Sequence, residues 1–311
     1  MKRDYPRRHF LKAFGCAATS LFTGNTPGAN RRVNLAFIGT GSAGVYNMAC
    51  STTARGFQVT HLCDNDPHVL AAAGEQARRF GWREIETHCD YREILADRAI
   101  DAVCISAPVG RSRMIVEACE AGKDVYVEPP RLLLPEEGAR VVEAARKHKR
   151  IVQAGTVARS GPLFQKAREI VRSGQLGEIS FCRASSARML DLVQFAFDDI
   201  MPRRVMPKHT AADDALTYSY PTFLLSIERQ STYDAVSFHG SRATLAATRA
   251  GYRVFPTDVE ETRCDITQNG PAHWRNWMEC IRTRRKPASD IETCVREASI
   301  WMLTGLALRE A

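Results

Sequence analysis

The sequence predicts an α/β fold: a doubly wound parallel sheet, then an α+β unit whose open sheet is mostly antiparallel. Three observations predict it. Up to about residue 156, short apolar runs alternate with helix-like stretches, with glycines punctuating them. From about residue 176, strand-like runs follow one another directly, joined by Pro, Gly and Asp/Ser turns. Two helix-like stretches then close the chain. At 311 residues it is long enough for two cores. The expected division is 1–29 as a leader and linker, 30–156 as the parallel unit and 157–311 as the second unit.

Val33 to Ile38 is a short apolar run that ends on a glycine turn, and Val45 to Arg55 has helix composition. Phe57 to Cys63 is a second strand, stopped by Asp64-Asn65-Asp66-Pro67. His68 to Phe80 is Ala-rich and helical, with Pro67 favouring its first turn. A short helix over Tyr91 to Ala96 precedes Ala102 to Ser106, a run apolar enough for a buried parallel strand. Helices over Met114 to Ala121 and Pro135 to His148 flank strands over Val125 to Val127 and Ile151 to Ala154. In the second unit strands are expected over 179–184, 216–220, 223–228, 235–239, 243–247 and 252–255. Helices follow over 273–284 and 290–309. One face of such a sheet rests on helices, and the other is free to meet substrate or a second subunit.

The turn after the first strand reads Gly39-Thr40-Gly41-Ser42-Ala43-Gly44. A Gly-x-Gly-x-x-Gly pattern alone is weak. Here it leaves a strand, opens a helix, and is followed 25 residues after Gly39 by Asp64 at the end of the next strand. Gly39 permits the tight turn, Gly41 leaves room for a pyrophosphate, and Gly44 lets helix and strand approach. The helix N-terminus offers free N–H groups to the phosphates. Asp64 is placed to accept hydrogen bonds from ribose hydroxyls, and its charge disfavours a 2′-phosphate. The pattern is a Rossmann turn for a nicotinamide cofactor, NAD rather than NADP. Ala107, Pro108 and Glu128, at later strand ends, complete the candidate cofactor-binding set.

The net charge of +8 is half accounted for by the first dozen residues, where Lys2, Arg3, Arg7, Arg8 and Lys12 oppose Asp4. The remaining charge is too dilute for a nucleic-acid face, so no nucleic-acid partner is expected. Paired arginines before Phe10-Leu11-Lys12 and a short apolar stretch to Phe22 resemble a twin-arginine export signal. That predicts a periplasmic protein; a merely basic N-terminus would leave it cytoplasmic. No other run is long enough to span a bilayer. Ten cysteines are scattered without Cys-x-x-Cys spacing and read as core. His209, His239 and His273 have no partner at metal or triad spacing, so no metal is expected.

Several segments resemble the Gfo/Idh/MocA oxidoreductases, especially the exported, twin-arginine type. They include Phe37-Ile38-Gly39-Thr40-Gly41, Leu62 to Pro67, Ala118 to Glu128, Val152 to Thr156, Asp191 to Phe195, Phe238 to Leu245 and Trp274 to Arg282. The resemblance runs over nearly the whole chain. It implies a Rossmann domain followed by an open α/β domain, a tightly held nicotinamide cofactor, and sugar-like or cyclitol substrates. It also implies oligomers formed through the second sheet.

The pattern breaks at the positions the family uses for chemistry. Its Glu-Lys-Pro tripeptide is here Glu128-Pro129-Pro130, and proline offers neither donor nor charge. The stretch Ala107 to Ser112 lacks the His-containing loop of exported members. Three residues before Asp191, where the resemblance places an acid–base histidine, stands Arg188, which is no general base at neutral pH. The aromatic-rich insertion between the strand ending near Ser185 and the helix of Asp191 is missing, as is the tail beyond Arg309. Glu128, Arg188 and Asp191 remain the candidate catalytic residues. Their structural alternatives are a strand-end cap, a solvated face and a helix start. Lys166 or a sheet tyrosine is the expected substitute for the lysine. Two functions fit: hydride transfer to or from a sugar- or cyclitol-like substrate, or cofactor binding without turnover, as a ligand-binding or partner subunit.

Overall fold

The computed structural model describes residues 32–128, 135–186, 189–210, 213–228, 234–257 and 261–310. The expected leader and linker, Pro129, Pro130 and Arg188 lie outside the described residues.

The first sheet is parallel and runs in the order β3-β2-β1-β4-β5-β6. Its strands are β1 (Val33–Ile38), β2 (Phe57–Cys63), β3 (Glu86–His88), β4 (Ala102–Ile105), β5 (Asp124–Val127) and β6 (Val152–Ala154). The crossovers are α1 (Ser42–Ser51), α2 (Pro67–Arg79), α3 (Tyr91–Ala96), α4 (Arg111–Glu120) and α5 (Pro135–Lys147). All four residues of β4 and of β5 are buried, because helices cover both faces. Helix starts follow local chemistry: Asp66 accepts from the amides of His68 and Val69, and Asp90 from that of Arg92. β3, a three-residue edge strand of Glu-Thr-His, carries no apolar signal and was not expected.

The second sheet runs β14-β13-β12-β11-β7-β10-β9-β8. It comprises β7 (Ile179–Ala184), β8 (Arg204–Thr210), β9 (Asp213–Ser219), β10 (Leu224–Glu228), β11 (Ala235–Gly240), β12 (Thr244–Thr248), β13 (Gly251–Phe255) and β14 (Thr262–Arg263). Every pairing is antiparallel except β7 with β10. Burial alternates along β11 and β12, so one face carries Val236, Phe238, Leu245 and Ala247 into the core. That face packs on α6 (Pro162–Arg172), α7 (Leu190–Ala196) and part of α9 (Ile291–Glu310). β8 escaped the sequence reading because its Arg-Val-Met-Pro-Lys-His-Thr run breaks alternation, as a charged, proline-bearing edge strand does.

Helix α8 (Asn269–Thr283) follows the second sheet in sequence but packs beneath the first. Trp274 and Trp277 are fully buried there. Trp274 stacks on Tyr126 at 4.7 Å and on Phe37 at 6.0 Å, and Trp277 on Phe57 at 5.2 Å. The cysteines among the described residues are all free, and most are buried among apolar neighbours.

Candidate functional site

The order of the first sheet reverses at β1, so β2 and β4 leave it in opposite directions and a crevice opens at the strands' C-terminal ends. The glycine turn occupies it, and each glycine has a separate reason to be there. Gly39 sits at φ +86°, and a Cβ on it would lie 2.5 Å from the Ala107 amide nitrogen. A Cβ on Gly44 would lie 2.3 Å from the Gly39 carbonyl oxygen, so only glycine lets α1 come this close. A Cβ on Gly41 would meet nothing within 4 Å. The Gly41 position, and exposed Ser42 and half-buried Ala43 after it, therefore face open space at a helix start that no side chain caps.

Asp64 ties this turn to the end of β2. Its Oδ2 accepts from the Thr40 amide at 2.7 Å and from Thr40 Oγ1 at 3.2 Å, and its Oδ1 from the Asp66 amide at 3.1 Å. Sequence reading aimed Asp64 outward only; the structure gives it the second task of holding the buried Thr40. The carboxylate keeps acceptor capacity beyond these bonds.

At the next strand ends, Ala107 is buried, Pro108 is exposed, and Gly110 at φ +72° precedes α4. Arg111 closes this corner by donating to the Ala107 carbonyl at 2.7 Å and the Glu128 carbonyl at 3.2 Å. Glu128 Oε1 accepts from Asn47 Nδ2 at 2.7 Å, and Asn47 also reaches Ser106 Oγ at 3.2 Å. Trp274 Nε1 donates to Asn47 Oδ1 at 3.4 Å. Asn47 thus joins α1, β4, β5 and α8. Sequence reasoning missed it and Arg111, since an isolated Asn in a helix gives no signal of three distant partners. Exposed Tyr46, one position before, has its phenol pushed up to about 12 by burial and Cys50, with the Glu128 charge adding to the effect.

Asp191 does not stand at this crevice corner as a free carboxylate. It starts α7 and is gripped by Arg159, which lies in a 3-10 turn (Val157–Ser160) just beyond β6. Arg159 Nε and Nη2 both sit 2.6 Å from Asp191 Oδ1, and Nη1 is 2.8 Å from Asp199 Oδ1. The guanidinium is buried against the Phe195 ring. Glu297 of α9 belongs to the same cluster, and burial followed by the Asp191 charge pushes its carboxyl up to about 8. Three acids thus share one buried cation.

The other expected residues are scattered. Lys166 pairs with Glu169 at 2.7 Å on α6. Tyr218 bonds Thr304 and Tyr220 bonds Gln194 inside the second core. His273 is fully buried between the Ala154 carbonyl at 2.8 Å and Ser160 Oγ at 2.7 Å, and burial lowers it to about 4. His239 contacts Ser237 and Thr244 on the sheet.

Fold and turn together define an α/β protein with a dinucleotide cradle. Residues 33–156 match the Gfo/Idh/MocA model, described as an oxidoreductase family with an NAD-binding Rossmann fold. The uncharacterized oxidoreductase YrbE of Bacillus subtilis (strain 168) is 32% identical over 227 residues, covering 60% of this chain and 65% of that protein. The scyllo-inositol 2-dehydrogenase (NAD(+)) of the same organism is 32% identical over 152 residues, covering 47% and 42%. The chain thus spans less than two thirds of the length of these curated relatives. The structure of levoglucosan dehydrogenase in complex with NADH and levoglucosan superposes with a TM-score of 0.72 at 15% identity, covering 90% of this chain and 98% of that one. That likeness is one of fold. Over the matched residues the chain is similar to the Gfo/Idh/MocA oxidoreductases.

Proposed function

We propose that this chain binds NAD in the crevice at the glycine turn and serves hydride transfer at a carbinol carbon of a sugar- or cyclitol-like substrate. The carrying observation is the open space at Gly41, flanked by two glycines that packing alone demands. When bound, the cofactor supplies the hydride chemistry at its nicotinamide C4. The exposed start of α1 would hold the pyrophosphate with backbone N–H groups. Asp64, with Asp66 two residues on, places negative charge where a 2′-phosphate would go, which favours NAD over NADP. Ala107, Pro108 and Glu128 line the way toward the nicotinamide end. The relatives that act on inositol and levoglucosan support the substrate class.

A proton acceptor is the part the chain supplies sparingly. Asn47, Ser106, Arg111 and Glu128 are the polar side chains bonded together around the ends of β4 and β5, and of these Glu128 alone can take a proton. Pro129 stands where the family resemblance puts lysine, and Asp191 is neutralised by Arg159. These observations favour a second reading, a cofactor-binding subunit that does not turn over. The paired arginines Arg7 and Arg8 support export to the periplasm, and the outer face of the second sheet supports a homo-oligomer. Among the described residues no helix is long and apolar enough to cross a membrane.

Thermal shift with millimolar NAD and NADP tests the binding. NAD raises the melting temperature more than NADP does, and Asp64→Ala narrows the gap. No shift with NAD overturns both readings. Absorbance change of the nicotinamide with sugars and cyclitols then separates turnover from binding alone.

A further inference from the structure

Outside the crevice, the edge of the first sheet gathers two imidazoles and three carboxylates. The register of β2 against β3 sets His61 opposite Glu86, and His88 follows on the same face two residues later. His61 Nε2 is 3.6 Å from Glu86 Oε2 and 3.4 Å from Asp97 Oδ2, just beyond α3. His88 Nε2 is 4.0 Å from the same Glu86 oxygen. The two rings lie 5.4 Å apart. The donor atoms of His61, Glu86 and His88 all fall within 4.8 Å of one another.

We propose that His61, Glu86 and His88 form a binding site for one borderline divalent cation of the zinc class, with Asp97 beside it on the His61 side. A tetrahedron with bonds of about 2.0–2.1 Å has ligand–ligand edges of about 3.3–3.4 Å. The His61–Glu86 separation of 3.6 Å is within a few tenths of an ångström of that figure, and the His88–Glu86 separation of 4.0 Å closes by a larger side-chain movement. Two nitrogens with carboxylate oxygens suit zinc, cobalt or nickel rather than magnesium or calcium, which take all-oxygen shells.

The outer groups supply an independent reason. His88 Nδ1 lies 2.8 Å from Glu93 Oε2, and His61 Nδ1 lies 2.8 Å from Thr60 Oγ1. A carboxylate on Nδ1 makes that nitrogen the donor and turns a lone pair on Nε2 toward the cluster, the arrangement found behind metal-bound histidines. His88 Nε2 is buried without a hydrogen-bond partner among the described residues. The His61 side chain is only 8% exposed, and its Nε2 faces both acids, at 3.4 Å from Asp97 and 3.6 Å from Glu86. The unbonded His88 Nε2 faces the Glu86 carboxylate at 4.0 Å, a gap that a cation held by both would close. No spacing motif signals this cluster, because 26 residues separate His61 from His88 and strand pairing unites them.

Zinc titration of the full chain, after stripping with a chelator and dialysis into metal-free buffer, tests the site independently of any cofactor. One equivalent binds and raises the melting temperature. His61→Gln and His88→Gln each weaken binding by more than ~100-fold, and Glu93→Gln by ~10–100-fold through the orientation of His88. Glu86 is largely exposed, so Glu86→Gln preserves the fold and still weakens binding at least ~10-fold. Cobalt absorption shows nitrogen and oxygen ligation without a thiolate charge-transfer band. Absence of zinc binding at ~100 μM overturns the proposal. So does a thiolate band, or binding by the double variant His61→Gln/His88→Gln equal to that of the parent chain.

Discussion

The ends of β1 and β6 lie on the same edge of one sheet, yet they use polar groups in opposite ways. At β1 the turn leaves Gly41 and the start of α1 pointing into open space, with Asp64 holding the turn from behind. Beyond β6, Arg159 is enclosed by Asp191, Asp199 and Glu297, and its charge is spent inside the protein. The first arrangement is preorganised for a partner from solution; the second satisfies itself. The two regions thus differ in whether their polar groups find partners within the protein or stay open to solvent.

The contrast breaks most violently if the central cation of the second cluster is removed. Arg159→Ala leaves Asp191 and Asp199 without their buried cation, and breaking a buried pair in this way costs about 3–5 kcal/mol. Urea unfolding reads that loss directly. A change below about 1 kcal/mol would mean that the acids are solvated and available for chemistry.

The glycines sharpen the other side. Gly44→Val drives a Cβ into the Gly39 carbonyl and destabilises by about 1–3 kcal/mol. Gly41 has extended backbone at φ −64° and open surroundings, so Gly41→Val changes stability by about 0.5 kcal/mol or less. Its NAD affinity nevertheless falls at least ~100-fold in a calorimetric titration. Equal NAD binding by Gly41→Val would remove the cradle from the site.

The cradle was legible because its rules are local. Glycine spacing, a preceding strand and an acid at the next strand's end all lie within one βαβ unit, and each glycine's role follows from backbone sterics. Helix boundaries near Pro67 and Asp90 were readable for the same reason. Asn47, Arg111 and Arg159 were not, since their partners come from other strands and from α8 and α9, more than 100 residues away in several cases. The second sheet's interior strands announced themselves by alternation, whereas β3 and β8, being short or charged edges, did not.

A gentler probe of the acid cluster is its pH dependence. Glu297 titrates at about 8 in the folded chain, against an ordinary glutamate value near 4.5. Between these values the folded state holds a proton that the unfolded state has released. Stability is therefore highest below about 4.5 as far as this group is concerned, and declines as pH rises through 8. Glu297→Gln keeps the neutral form at every pH. Its melting temperature should match the parent's near pH 5 and exceed it near pH 8, with a flatter profile between. Parallel profiles for the two chains would show that Glu297 is ionised at neutrality, and that Arg159 then balances a cluster with one more negative charge than the packing around it suggests.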